Sequence, residues 1–314
     1  MSVRRYAVLG VVLSITLSVL PVPADASDKP PPGRGEQPTV VIVTSSAVEA
    51  FEEAVRGIQG GLGPAVKTII VDLASKPKEP ANILGGRDVR LLISVGNNAF
   101  DFAVQFGTAP ILATMLLRAD LGGRLSPQSA ALPLDVPLGD ILTRMESVFP
   151  GKTRAAIIRN PDGNSVPQST LAAQAKAAGM TLKVLDCPRP EKLLQLFLSL
   201  RGQVDFVVCP PDGTLYNSTT VRPLVLASLE NRLPLIGFSE SFVRSGAVAA
   251  IYPDYFDVGS QAALLAKTYL AGGNMPLSEK PRKLKVAANP KVARLLGLRI
   301  TARNDSVSGI VVIE

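Results

Sequence analysis

Six groups of small polar and acidic side chains each follow a short run of apolar or β-branched residues. They are Thr44-Ser45-Ser46, Gly96-Asn97-Asn98, Asn160 with Asn164 and Ser165, Asp212 with Thr214, Ser239-Glu240, and Asp254. Their chemistry is hydrogen bonding and charge pairing, because no nucleophile stands beside a base. The chain contains no His at all. That removes the commonest general base and the commonest metal ligand together. If each apolar run is a strand that feeds a helix, these residues sit where free backbone N–H groups and the helix dipole favour an anion such as a carboxylate. Asp212, Glu240 and Asp254 are acids suited to an ammonium group. Together the groups suit a small zwitterion, with Tyr252, Tyr255 or Phe242 packing against its apolar part and Arg118 as a further polar candidate. Ser, Asn and Asp are also ordinary helix caps, so capping alone is the competing reading for Asn97, Asn98, Asn164, Ser165 and Asp254.

The elements that must position these groups alternate between strand and helix. Apolar runs predict strands at 40–44, 66–72, 90–95 and 110–115. Phe51, Val55 and Ile58 share one face of a helix over 47–61, and Asn97 or Asn98 is expected to cap a helix ending at Phe106. A Gly/Ser/Pro-rich stretch, 121–137, breaks the rhythm and marks a crossing to a second domain. The pattern restarts with a helix at 138–149 and a strand at 154–159. A helix capped by Asn164 or Ser165 follows, with Pro167 in its first turn and Gly179 beyond its end. Strands at 182–186, 204–209, 233–238 and 247–252 come next, with helices at 190–200, 214–231 and beyond Tyr255. Pro223 should kink the 214–231 helix unless it begins near Thr220. The expected fold class is α/β, with two doubly wound parallel-sheet lobes joined by a multi-strand hinge. The expected division is lobe I from 39–130 plus 255–275 and lobe II from 131–254 plus 276–314. In open α/β sheets ligands bind at the carboxyl ends of the strands.

The 314 residues have a mean hydropathy of +0.26, ample for two cores. Residues 1–26 read as a secretory signal, with Arg4 and Arg5 before an apolar run and Ala24-Asp25-Ala26 as the cleavage site. Residues 27–38 read as a linker. The net charge of +7 is dispersed rather than clustered, so no nucleic-acid partner is expected. Cys187 and Cys209 are expected at the ends of two strands that flank a common neighbour. That separation of roughly 9–10 Å disfavours a disulfide.

Most of residues 39–300, most specifically from about 205 onward, resemble the ABC transporter substrate-binding proteins of the tryptophan/tyrosine type. The similar residues are Pro211-Asp212-Gly213-Thr214, Leu233-Pro234-Leu235, Ser239-Glu240-Ser241-Phe242-Val243, Gly246-Ala247, and Asp254-Tyr255 with Gly259. Weaker likeness lies at Ser94-Val95-Gly96, Arg159-Asn160-Pro161 and 289–298. The resemblance implies a type I periplasmic-binding-protein fold and an exported, monomeric protein. Such a protein captures a small, amino-acid-like ligand by hinge closure and presents it to a membrane ABC permease. A membrane sensor is the alternative recipient. It implies no cofactor and no enzymatic chemistry. Two-lobed racemases, which pair cysteines across a cleft, are disfavoured because Cys187 and Cys209 fall in one lobe. The family's His-Pro after the first strand is Ser45-Ser46 here, and its Asp-Asn is Asp212-Gly213. An aromatic amino acid as ligand therefore does not follow.

Overall fold

In a computed structural model, residues 37–75, 82, 84, 88–163, 166–300 and 310–312 are described. The expected signal and linker segments, and the candidates Asn164 and Ser165, lie outside the described residues. The first sheet comprises β1 (Thr39–Thr44), β2 (Lys67–Asp72), β3 (Val89–Val95), β4 (Ile111–Thr114) and β5 (Ala130–Leu132). Its order is β2-β1-β3-β4-β5 and every pairing is parallel. Helices α1 (Glu49–Leu62), α2 (Asn97–Phe106) and α3 (Arg118–Leu121) connect these strands. The alternation of side chains along a strand accounts for the two-sided cover. Val40 and Ile42 of β1 join one core with Ile58, while Val41 and Val43 join the other with Phe100.

The second sheet takes up the chain after α4 (Leu138–Val148). Its elements are β6 (Arg154–Arg159), α5 (Gln168–Ala177), β7 (Thr181–Asp186), α6 (Leu193–Ser199), β8 (Phe206–Val208), α7 (Ser218–Glu230), β9 (Leu235–Gly237), α8 (Glu240–Arg244) and β10 (Ala249–Pro253). Helix α9 (Tyr255–Leu270) follows, then β11 (Leu284–Ala288), α10 (Pro290–Leu295) and β12 (Ile310–Val312). The strand order is β12-β11-β10-β9-β8-β6-β7. All described pairings are parallel except β10 with β11. Cys187 and Cys209 follow β7 and β8, which flank β6; both thiols are buried and free. Burial pushes the Cys209 thiol up to about 12.

Three details depart from the expectation. Ala130–Leu132 is a strand of the first sheet, although it lies inside the 121–137 stretch read as a break. The chain passes to the second sheet beyond it. The helix expected from 214 begins at Ser218, so Pro223 stands inside it and removes one helical N–H. Pro167 is the N-cap of α5 rather than a first-turn residue.

Helix α9 leaves β10 of the second sheet and packs into the core of the first, through Val258, Ala262 and Ala263. It lies directly on α1. A Cβ on Gly57 would collide with the carbonyl oxygen of Phe256, and one on Gly259 with that of Ala54. The return path from α9 to β11 is fixed as well. Buried Gln261 donates to Glu279 (2.7 Å) and to the Lys280 carbonyl (3.0 Å), and accepts from the Arg282 N–H (3.2 Å). Ala131 N–H donates to the Leu277 carbonyl. The two sheets are thus joined at 133–137, at 253–255 and at 271–283, all three on described residues.

One carboxylate ties strand starts in the second sheet and gives an acid-lability prediction. Asp205 accepts from the N–H groups of Thr153 (3.1 Å) and Arg154 (2.9 Å) and from the Arg154 guanidinium (3.0 Å). Burial alone would raise this carboxyl, but the Arg154 hydrogen bonds outweigh it and hold it below the usual range. A depressed folded pKa gives stability that is complete above the unfolded value of about 3.9 and is lost as pH falls through the folded value. Asp205→Asn is therefore expected to flatten this part of the pH dependence of unfolding below about pH 4. Denaturant melts at pH 3 and pH 6 check it. An unchanged wild-type slope in the variant would contradict the assignment.

Candidate functional site

The carboxyl ends of both sheets carry the predicted polar groups. Thr44 ends β1, is buried, and donates to the Ser46 carbonyl (3.0 Å). Ser45 Oγ accepts from the Ala99 N–H (2.8 Å), so a side chain arriving from β1 caps α2. Asn97 and Asn98 do not cap it. The N-cap is Gly96, at φ +90°, and both Asn residues are exposed in the first turn. A Cβ on Gly96 would stand 2.7 Å from both Ser45 Oγ and Phe51 Cζ. Only a glycine allows this backbone and this approach. Thr44–Ser46 and Gly96–Asn98 thus form one continuous edge.

Two features border that edge. A cavity of about 350 Å³ is lined by Thr44 and Ser46, by Val55 and Arg56 of α1, and by Ile70 and Asp72 of β2. Arg118 is exposed and its N–H donates to Asp135 Oδ2 (2.7 Å) in the first crossing. Burial raises the Asp135 carboxyl.

On the second sheet, Asn160 and Asp212 come together. Asn160 is buried, and its Oδ1 accepts from the Asp162 N–H (3.1 Å). Asp212 Oδ1 accepts from the N–H groups of Thr214 (2.8 Å) and Leu215 (2.9 Å). The Thr214 side chain is exposed. Asp212 closes a short turn rather than starting the long helix, whose cap is Asn217 through the N–H groups of Thr219 and Thr220. Ser239 caps α8 through the Phe242 N–H (3.2 Å). Asp254 caps α9 through the Asp257 N–H (3.2 Å), as the capping reading allowed.

The three acids differ in what they already hold. Glu240 pairs with Arg244 and accepts from the Tyr252 hydroxyl (3.4 Å). Asp254 faces Lys285 Nζ at 3.5 Å. Asp212 Oδ2 has no hydrogen-bond or ionic partner among the described residues. Asp212 is therefore the one of these three acids that faces no cationic or hydroxyl side chain among the described residues, and its Oδ2 is uncommitted.

Residues the sequence did not single out complete the arrangement. Lys285 Nζ also lies 4.0 Å from Glu53 Oε2 of α1, so one lysine of the second sheet reaches an acid of the first lobe's helix. Tyr252 and Tyr255 pack at 5.8 Å beside this pair. Burial, reinforced by the charges of Glu53 and Glu240, pushes the Tyr255 hydroxyl up to about 12, and burial with the Glu240 charge raises Tyr252 further. Both stay neutral donors at physiological pH. Glu53 lies on the helix that leaves β1, and Asp254 directly follows β10. The carboxyl edges of the two sheets therefore meet here. Arg159, buried at the end of β6, donates to Asp186 (2.8 Å) and to the Val166 carbonyl, bracing the loop that carries Asn160. No periodicity marks Lys285 or Glu53, because their meeting depends on the third crossing.

Two doubly wound sheets joined by three crossings, with polar carboxyl edges meeting at the junction, define a two-lobed binding protein of the type I periplasmic-binding-protein class. Residues 137–307 match the family described as ABC transporter substrate binding protein. The match covers more than half of the chain, and the chain belongs to that family. A curated relative, the tyrosine-binding protein of Clostridioides difficile, is 26% identical over 162 residues; this spans 50% of the chain and 45% of the relative, less than half of its length. Two solved structures share the fold. One is the ligand-free, open structure of a substrate binding protein with adhesive properties from Clostridium difficile (TM-score 0.65, 16% identity, 88% and 99% of the two chains). The other is an ABC domain from Streptococcus pneumonia in complex with L-Trp (TM-score 0.58, 17% identity, 88% and 100%). At these identities they establish the fold alone. Among the described residues no helix is long and apolar enough to cross a membrane.

Proposed function

We propose that this chain is an exported solute-binding protein that captures an amino-acid-like zwitterion between its lobes and delivers it to an ABC permease. Residues 1–26 act as its export signal, and it works as a monomer without covalent chemistry or a cofactor. The observation that carries the reading is the uncommitted Oδ2 of Asp212 beside Asn160 at a strand's carboxyl end. The ligand's ammonium takes that oxygen. Its carboxylate takes the opposite edge, at Thr44–Ser46 and the first turn of α2, where N–H groups and the helix dipole favour an anion. Thr214, Ser239, Glu240 and Asp254 complete the polar rim, with Glu240 and Asp254 acting through the pairs they already make, and Asn164 and Ser165, outside the described residues, are further proposed ligand contacts. Closure follows from tighter binding to the closed lobes than to the open ones. The curated relative's name and the L-Trp complex support an amino acid as the ligand class.

A thermal-shift screen tests this. Purified 27–314, unfolded and refolded to strip carried ligand, is screened against amino acids, peptides, sugars, nucleosides and organic anions. Ligand at a hundred times its dissociation constant adds about 2.7 kcal/mol. In a chain of this size that is a rise of a few degrees. Amino acids are expected to give the hits. Hits confined to sugars or nucleosides, or none with refolded protein, would defeat the proposal.

A further inference from the structure

The geometry points to Gly163 as the positioning residue that sets where the free oxygen of Asp212 stands, an inference that rests on the proposed role of Asp212. Three observations meet at this point. The Asp212 carboxylate is clamped on one side only, by the Thr214 and Leu215 N–H groups on Oδ1. The turn after β6 is set by Asn160, whose Oδ1 holds the Asp162 N–H (3.1 Å). That turn brings Gly163 against the other side of the carboxylate. A Cβ at Gly163 would lie 2.9 Å from Asp212 Oδ2, 3.9 Å from its Cγ and 3.8 Å from Asn160 Nδ2.

The nature of the collision decides what the glycine is for. At Gly57 and Gly259 the obstacle is backbone, so those glycines serve packing. At Gly163 the nearest atom is the tip of a side chain, and the backbone is outside the left-handed region. An alanine there leaves the fold intact. What gives way is the carboxylate, whose Oδ2 is pressed from the position in which it stands free while Oδ1 keeps its two N–H donors. The methyl also stands within van der Waals contact of Asn160 Nδ2, a donor, at 3.8 Å. Gly163 therefore acts on the ligand through Asp212, and its effect falls on ligands that carry an ammonium group.

Gly163→Ala is compared with Gly213→Ala, where a Cβ meets nothing within 4 Å. Both variants are expected to melt within about a degree of wild type, an energy change well under 1 kcal/mol. Gly163→Ala should weaken the amino acid identified in the screen at least tenfold and leave its des-amino analogue within twofold. Gly213→Ala should change neither. Equal weakening of both ligands by Gly163→Ala, or of neither, overturns the proposal. The crystal structure of Gly163→Ala decides the cause whether or not the screen finds a ligand. A carboxylate shifted from its wild-type position supports the inference, and an unmoved carboxylate beside a displaced turn sinks it. Failure of the proposed function itself reads out separately, as a wild-type protein that binds no amino acid.

Discussion

Asp212→Asn is expected to weaken amino-acid binding about a hundredfold while leaving the melting temperature within a few degrees of wild type. The amide keeps an oxygen for the Thr214 and Leu215 N–H groups, so the turn survives. What is lost is the negative charge at the uncommitted oxygen. A hydrogen bond to a charged group contributes about 1.5–3 kcal/mol, and a hundredfold corresponds to about 2.7 kcal/mol. Asp212→Ala should bind no better and also lose stability, because two backbone N–H groups lose their acceptor. Glu240→Gln should cost less than Asp212→Asn, since Glu240 is already paired with Arg244 and Tyr252. Calorimetric titration of the three variants checks the order. Equal losses at Asp212 and Glu240 would mean that both acids touch the ligand's charge.

Gly259→Ala is expected to destabilise the protein by about 3 kcal/mol, the upper end for overpacking a close-packed contact. The added methyl meets the Ala54 carbonyl and the Ile58 N–H of α1, backbone atoms that move only if the helices separate. Gly57→Ala meets the Phe256 carbonyl across the same contact and should behave alike. The double variant should cost less than the sum, because one separation relieves both clashes. Gly60 lies in the same helix with open space around its Cα. Gly60→Ala should stabilise by about 0.5–1 kcal/mol through the lower backbone entropy of the unfolded chain. Urea unfolding of the four variants reads the contrast. A stabilised Gly259→Ala would show that the helices are not locked at this distance. The contact bears on function, since α9 follows the 253–255 crossing and its anchorage on α1 holds that crossing to the first sheet.

The strands that lie in the middle of each sheet were legible because parallel strands covered on both faces read as unbroken apolar runs, as in Val40-Val41-Ile42-Val43. β5 was not, because Ala130-Ala131-Leu132 lacks β-branched residues and sits among Gly, Ser and Pro. β11 was not, because lysine alternates with apolar residues at its start and it pairs antiparallel with β10. At the site, residue type was informative and partnership was not. Asn97 has the composition of a cap, yet Ser45 arrives from another strand to serve α2. Asp212, Glu240 and Asp254 look equivalent as letters. They separate only when Arg244 is found one helical turn from Glu240 and Lys285 across a strand pair from Asp254. Gly163 carried no signal, since its importance is the space left beside a carboxylate about fifty residues away in the chain.

The most direct test is a crystal structure of the refolded protein with the amino acid that gives the largest thermal shift. The ligand should lie between the two sheet edges, its ammonium within about 3 Å of Asp212 Oδ2 and its carboxylate on the Thr44–Ser46 side. A ligand seated instead in the cavity beside α1 and β2, with Asp212 unengaged, would contradict the assignment of the cleft.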